Sequence, residues 1–158
     1  MTDSREKGKR AEYGVRDLLR KYTGKQWERV PGSGAFGEEH SLKGDVYLPS
    51  KVTKQDMSRF CIEVKHYAQD SVNSNLVRPA KQTLEKFWEQ TLREAEQLSK
   101  VPMLVFKKDR GKWLVALDSE SDKCEGKRMV YYPSVGVPMF IYDFEDWLKH
   151  HAEDTFHV

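Results

Sequence analysis

Two short apolar runs that carry ionisable residues constrain this chain most: Gly44-Asp45-Val46-Tyr47-Leu48 and Phe60-Cys61-Ile62-Glu63-Val64-Lys65. Both are rich in β-branched and aromatic residues and predict strands. Side chains alternate faces along a strand, so Glu63 and Lys65 share one face while Ile62 and Val64 enter the opposite layer. Asp45 then falls across from them on a neighbouring strand. Charges inside an apolar sheet need compensation. Two carboxylates with an ammonium alongside supply the hard oxygen donors a divalent cation takes, and a positive group for a phosphodiester. Taken alone, Glu63-Val64-Lys65 reads more simply as a cross-strand salt bridge.

The 158 residues are most simply one domain, long enough to bury a core and too aromatic to be disordered. The net charge of +2 neither requires nor excludes a polyanionic partner. Its distribution says more: nine basic and five acidic residues up to Arg29, against one Lys and five acidic residues from Asp143 onward. The basic end is the candidate DNA face. Cys61 and Cys124 have no paired spacing, which argues against a disulfide framework and a structural zinc. No apolar run is long enough for a signal peptide or a membrane span, so a soluble protein of the cytoplasm is expected.

Asp3 and Glu6 form a capping box, and Ala11, Val15, Leu18, Leu19 and Tyr22 recur at helical spacing up to a Thr23-Gly24 stop. Glu12 falls on the margin of that apolar stripe and is placed to lean over the sheet edge, although a helical Glu is more often solvated. Gly8, within the stripe one turn earlier, would permit close backbone approach. Gln26 to Val30 alternates as a first strand, ended by Pro31-Gly32-Ser33-Gly34, and a loop runs on through Lys43. Arg29, Ser33 and Lys43 are donors for a phosphate there. A polar surface connection spans Pro49 to Ser58. Pro79 suits the first turn of a second helix with Leu84, Phe87, Trp88, Thr91, Ala95 and Leu98 as its buried stripe, and Gln90 and Glu94 on a flank that could face the site but reads more simply as solvated. Met103–Lys107 and Trp113–Leu117 predict a hairpin, Met129–Tyr132 an edge strand, and Asp143 with Asp146 the start of a last helix. His150 and His151 follow without an evident third ligand.

The order helix, three strands, helix, strand, with acids on the first helix and on strands two and three, resembles the αβββαβ core of the PD-(D/E)XK nuclease superfamily. More narrowly, it is similar to the Holliday junction resolvases of archaeal and bacteriophage type. Lys7-Gly8-Lys9-Arg10-Ala11-Glu12 resembles that family's first-helix motif, and Arg29-Val30-Pro31-Gly32-Ser33-Gly34 its first strand and serine loop. Gly44-Asp45 resembles its Asp motif and Glu63-Val64-Lys65 its ExK. Gly44 replaces a frequent Pro, a change of little expected consequence since that Pro is no ligand, and the Asp45–Glu63 interval is long. The resemblance spans about residues 4–117 and leaves 118–158 as an extension of the same single nuclease domain.

The resemblance implies an α/β, restriction-endonuclease-like fold with a central mixed sheet flanked by helices. It implies that Glu12, Asp45 and Glu63, with the Val64 carbonyl, hold Mg²⁺, for which Mn²⁺ can substitute, and that Lys65 and Ser33 complete the catalytic set. Lys7, Lys9, Arg10, Arg29, Ser33, Lys43 and His66 are the implied DNA contacts. The activity implied is resolution of four-way DNA junctions by a homodimer that nicks opposing strands. Another nuclease of the superfamily, acting on flaps, other branched DNA or duplex ends, is the enzyme alternative. A non-catalytic DNA-binding module is the alternative of a different class, and it is disfavoured because three acids on a basic surface weaken phosphate binding unless a metal offsets them.

Overall fold

The structure, a computed structural model, describes residues 4–31, 42–67, 83–134 and 136–157. Helix α1 (Ser4–Thr23) leads into β1 (Glu28–Arg29), β2 (Val46–Tyr47) and β3 (Phe60–Tyr67). Helix α2 (Thr83–Leu98) then precedes β4 (Val101–Lys108) and β5 (Leu114–Leu117). The chain ends with β6 (Met129–Tyr131), β7 (Met139–Asp143), α3 (Phe144–His151) and a 3₁₀ turn (Ala152–Thr155). The αβββαβ order is therefore present, in a seven-stranded sheet of order β1-β2-β3-β4-β5-β7-β6. Among the described strands only β3 and β4 run parallel, which requires a crossover, and α2 lies on it; the remaining described pairs are antiparallel.

Helices cover both faces, and strand alternation decides which residue meets which. Met103 and Val105 of β4 join Ile62 and Val64 of β3 under Ala11, Val15 and Leu19 of α1. Leu104 and Phe106 face the other way, onto Leu84 and Trp88 of α2. Burial on both sides explains why β4 reads as an unbroken apolar run. Helix α1 stops where expected: Gly24 takes a φ of +70° and its N–H donates to the Arg20 carbonyl at 2.9 Å. Asp143 caps α3 by accepting the Asp146 N–H at 3.0 Å. Asp3 and Pro79 lie outside the described residues, so neither proposed helix start is described.

Two sequence expectations are corrected. Strand β7 was not foreseen; it inserts between β5 and β6 and confines β6 to the sheet edge. Gly8 is exposed, and a side chain there would meet nothing within 4 Å. The small residues that let α1 approach its neighbours are Ala11, which is buried, and Gly14, whose missing Cβ would lie 3.7 Å from the Trp113 ring.

Candidate active site

The site forms where β2 leaves β3. Their ladder ends at the Val46–Ile62 pair, and Asp45, one residue earlier, is fixed from three directions. Its N–H donates to the Ile62 carbonyl at 2.8 Å, its carbonyl accepts the Val30 N–H at 2.9 Å, and its Oδ2 accepts the Val64 N–H at 2.7 Å. A strand residue directs its N–H and C=O toward the same neighbour, so the Val64 carbonyl faces this edge as well.

Gly44 makes the approach possible. It holds a φ of +81°, and a Cβ there would stand 2.6 Å from the Ile62 carbonyl oxygen. Proline, fixed near −65°, cannot adopt that backbone. The substitution of Gly for the more usual Pro is therefore a structural requirement here, contrary to the expectation that it would matter little.

Glu12 reaches the edge from α1. Its carboxylate is in hydrogen-bond contact with Asp45 and ion-paired through Oε2 with the Arg29 Nε from β1. Arg29 thus supports a carboxylate of the site as well as lying near the expected nucleic-acid face. Glu63 is only 2% exposed, on the face of β3 turned toward α2. It contacts Asp45 and also Glu94. Burial, offset in part by the Val64 N–H and reinforced by Glu12, raises the Asp45 carboxyl above the usual range. Burial also raises Glu63, with the Glu94 and Asp45 carboxyls adding to it. All these donors are carboxylate oxygens, and the cluster is short of positive charge. Both properties fit a hard divalent cation.

Glu94, for which the sequence favoured a solvated position over one facing the site, takes the second. Among the described residues its buried Oε2 has no hydrogen-bond partner. Thr91 and Ala95 beside it are buried, and these small side chains let α2 settle closely on β3 and carry Glu94 inward. A Thr and an Ala four residues apart, flanking the Glu, were the available signal.

Lys65 shares the Glu63 face, with its Nζ 5.2 Å from the centre of the Phe87 ring. Lys9, Arg10 and Lys43 are exposed. Lys7 pairs with Asp109 at 2.9 Å. His66, one residue past Lys65, points to the α1 face, where its Nε2 lies 2.8 Å from Asp109. It does not join the carboxylates. Ser33 lies outside the described residues.

A separate group of ligand-type atoms, from Glu125, Asp146 and His150, lies within 4.8 Å of one another, so the fold does bring further potential ligands to His150. Asp146 there accepts the N–H groups of Glu125 at 3.2 Å and Gly126 at 2.8 Å, which accounts for the arrangement as an anchor for that loop. Cys61 and Cys124 are free thiols. Among the described residues no helix is long and apolar enough to cross a membrane.

Comparison with known proteins places these features in context. The family model described as phage putative PDDEXK endonuclease matches residues 3–157. Protein D14 of Escherichia phage T5 is 52% identical over 151 residues, covering 94% of this chain and 93% of its own. Among solved structures, Archaeoglobus fulgidus Hjc, a Holliday junction resolvase from an archaeal hyperthermophile, aligns over 89% of this chain and 87% of its own, with a TM-score of 0.40 and 18% identity.

Proposed function

Since the chain belongs to the phage PD-(D/E)XK endonuclease family, we propose that it resolves four-way DNA junctions by divalent-metal-dependent hydrolysis, as a homodimer that nicks opposing strands. The observation that carries the hydrolytic part is the convergence of Glu12, Asp45 and Glu63 at one sheet edge, with Asp45 held by the Val64 amide. The junction preference rests on the first-helix, serine-loop, Asp and ExK motifs of the sequence. Glu12, Asp45, Glu63 and the Val64 carbonyl would hold Mg²⁺ or Mn²⁺. Such an ion supplies Lewis acidity at the phosphodiester and a nucleophile at neutral pH.

The chain's own groups have separate tasks. Arg29 holds Glu12 in place, which keeps one carboxylate oriented without closing the site. Lys65, at the end of a flexible stem beside Glu63, presents a mobile ammonium to the phosphate and to the water that attacks it. Lys43, exposed just before β2, is a contact for the DNA strand, and the serine motif of the sequence adds Ser33 to that role. Because a junction is cut on two strands and one domain supplies one site, a two-fold assembly matches the substrate's symmetry.

The test is cleavage of a synthetic four-way junction beside a linear duplex and a flap of matched sequence, in Mg²⁺, in Mn²⁺ and in EDTA. Paired nicks in opposing junction strands, lost in EDTA, are expected. Equal cutting of flap or duplex would replace the junction preference with a broader nuclease activity. Cutting that persists in EDTA would overturn the metal-dependent mechanism.

A further inference from the structure

A cavity of about 430 Å³ lies between α1, the end of β3 and the β4–β5 hairpin, lined by Lys7, Arg10, His66, Lys107, Asp109 and Trp113. It is distinct from the carboxylate site. Glu12 leaves one flank of α1 toward Arg29 and Asp45, whereas Lys7, Arg10 and Gly14 leave the other flank. Lys7, Arg10 and Lys107 face a single carboxylate, so the cavity carries a surplus of positive charge without His66, whose pKa burial and the two lysines lower. That carboxylate is Asp109, which lies on the hairpin turn, is about half exposed, and bridges Lys7 at 2.9 Å and His66 at 2.8 Å. Among the described residues, Arg10 and Lys107 have no carboxylate partner. The Lys107 Nζ rests 5.1 Å from the centre of the Trp113 ring, a contact a stronger anion can displace.

We propose that this cavity binds a backbone phosphate of the DNA substrate away from the cleaved bond, and that Asp109 occupies the phosphate's place until DNA displaces it. The proposal rests on the nuclease reading and adds a second anchoring point to it. A carboxylate held between an ammonium and an imidazole is a plain mimic of a phosphate oxygen pair, and phosphate contacts set register without reading sequence. His66 is three residues beyond Glu63, about 10 Å along the strand at ~3.3 Å per residue, so the phosphate bound here lies more than one nucleotide from the scissile one. The indole of Trp113 forms the cavity wall. Trp27, Trp88 and Trp147 are at most 3% exposed, so Trp113, which is only half-buried, is the accessible fluorophore.

The test is binding of a labelled four-way junction and a linear duplex in EDTA, where cleavage does not enter. Asp109→Asn should tighten binding of both about three- to tenfold by removing the competing charge. Lys107→Ala and Arg10→Ala should each weaken both about tenfold and reduce the salt slope by about 1. DNA should shield the acrylamide-quenchable emission of the wild type, and Trp113→Phe should remove that signal. Unchanged affinity and salt slope in all three charge variants would overturn the proposal, whatever the outcome of the cleavage assays. So would inorganic phosphate shielding Trp113 as fully as duplex DNA while the variants bind duplex normally, since the cavity would then serve a free anion. Loss of metal-dependent cleavage by the wild type, with these binding shifts intact, would instead count against the nuclease mechanism alone.

Discussion

Replacing Gly44 with alanine tests whether the active site depends on the close passage of the chain beside β3. Two separate costs act at this position. The φ of +81° lies where an L-residue loses about 1–2 kcal/mol relative to glycine. The added methyl would also stand 2.6 Å from the Ile62 oxygen and 3.2 Å from its nitrogen. Both are backbone atoms of a central strand and cannot rotate away, so the overpacking costs about 1–3 kcal/mol more. The sum is roughly 2–5 kcal/mol, and at about 2–4 °C per kcal/mol for a domain of this size the Tm should fall by roughly 4–20 °C.

Relief of the clash has to move Asp45 away from Val64, because the neighbouring peptide carries the hydrogen bond that joins it to Ile62. A displacement of about 1 Å at a reacting centre can cost about a hundredfold in rate. Thermal melting and single-turnover cleavage of the same preparation are the assay. Gly44→Asn is the comparison, since Asn tolerates the left-handed backbone but not the contact, and it should recover only part of the stability. A Gly44→Ala protein that melts within 1 °C of the wild type and cuts at its rate would refute both the clash and its link to Asp45 (the 1 °C margin being about the size of a neutral surface change).

Other expectations follow from the carboxylate cluster. Asp45 and Glu63 have folded pKa values raised above their unfolded ones, so their folded forms bind more protons and stability falls as pH rises from the ordinary carboxylate range through the raised values. The metal-free Tm should therefore drop as pH rises from about 4 through the raised values, about 7 for Asp45 and about 11 for Glu63, Mg²⁺ or Mn²⁺ should restore it at the upper end, and Asp45→Asn should flatten both responses in a melting series. Glu94→Gln should raise the metal-free Tm and weaken divalent-ion binding by calorimetry; an unchanged protein on both measures would return Glu94 to a passive role. Glu12→Gln should lower single-turnover cleavage by at least about a hundredfold while the circular dichroism spectrum is retained, and wild-type cleavage across a Mg²⁺ titration would remove Glu12 from the site.

The parts of this site that could be read from sequence are those that depend on local period. Alternation along Phe60–Lys65 put Glu63 and Lys65 on one face and Val64 on the other, and the helical stripe through Ala11, Val15 and Leu19 set Glu12 at its margin. Gly44 was misread, and Glu94 was weighted toward solvent over the site, because their roles depend on distances between elements. A glycine's φ is not written in its neighbours, and Glu94 sits on a polar flank that only the small Thr91 and Ala95 bring against β3. His66 shows the converse. The resemblance named it only as a DNA contact, and a single step along the strand from Lys65 reverses the face, so the residue lines the cavity on the far side of α1.

The C-terminal quarter was the least legible part, because its function in the fold is expressed only through contacts distant in sequence. Strand β7 pairs with β5 from Leu114–Asp143 to Leu117–Phe140, and Phe156 enters the core beneath α1. From the last residue of the 3₁₀ turn onward the backbone closes on the segment before β3: the Arg59 N–H donates to the Thr155 carbonyl at 2.9 Å, and the His157 N–H to the Met57 carbonyl at 2.9 Å. The Arg59 side chain adds a bond to the Phe156 carbonyl at 3.1 Å. These bonds hold the entry to β3 at the end opposite the carboxylates, where the Pro49–Ser58 connection would otherwise join β2 to β3 by a long surface excursion. The register of Val46 on Ile62, and with it the reach of Asp45 to the Val64 amide, is thus braced by residues more than ninety positions later in the chain. No window of local sequence carries that information.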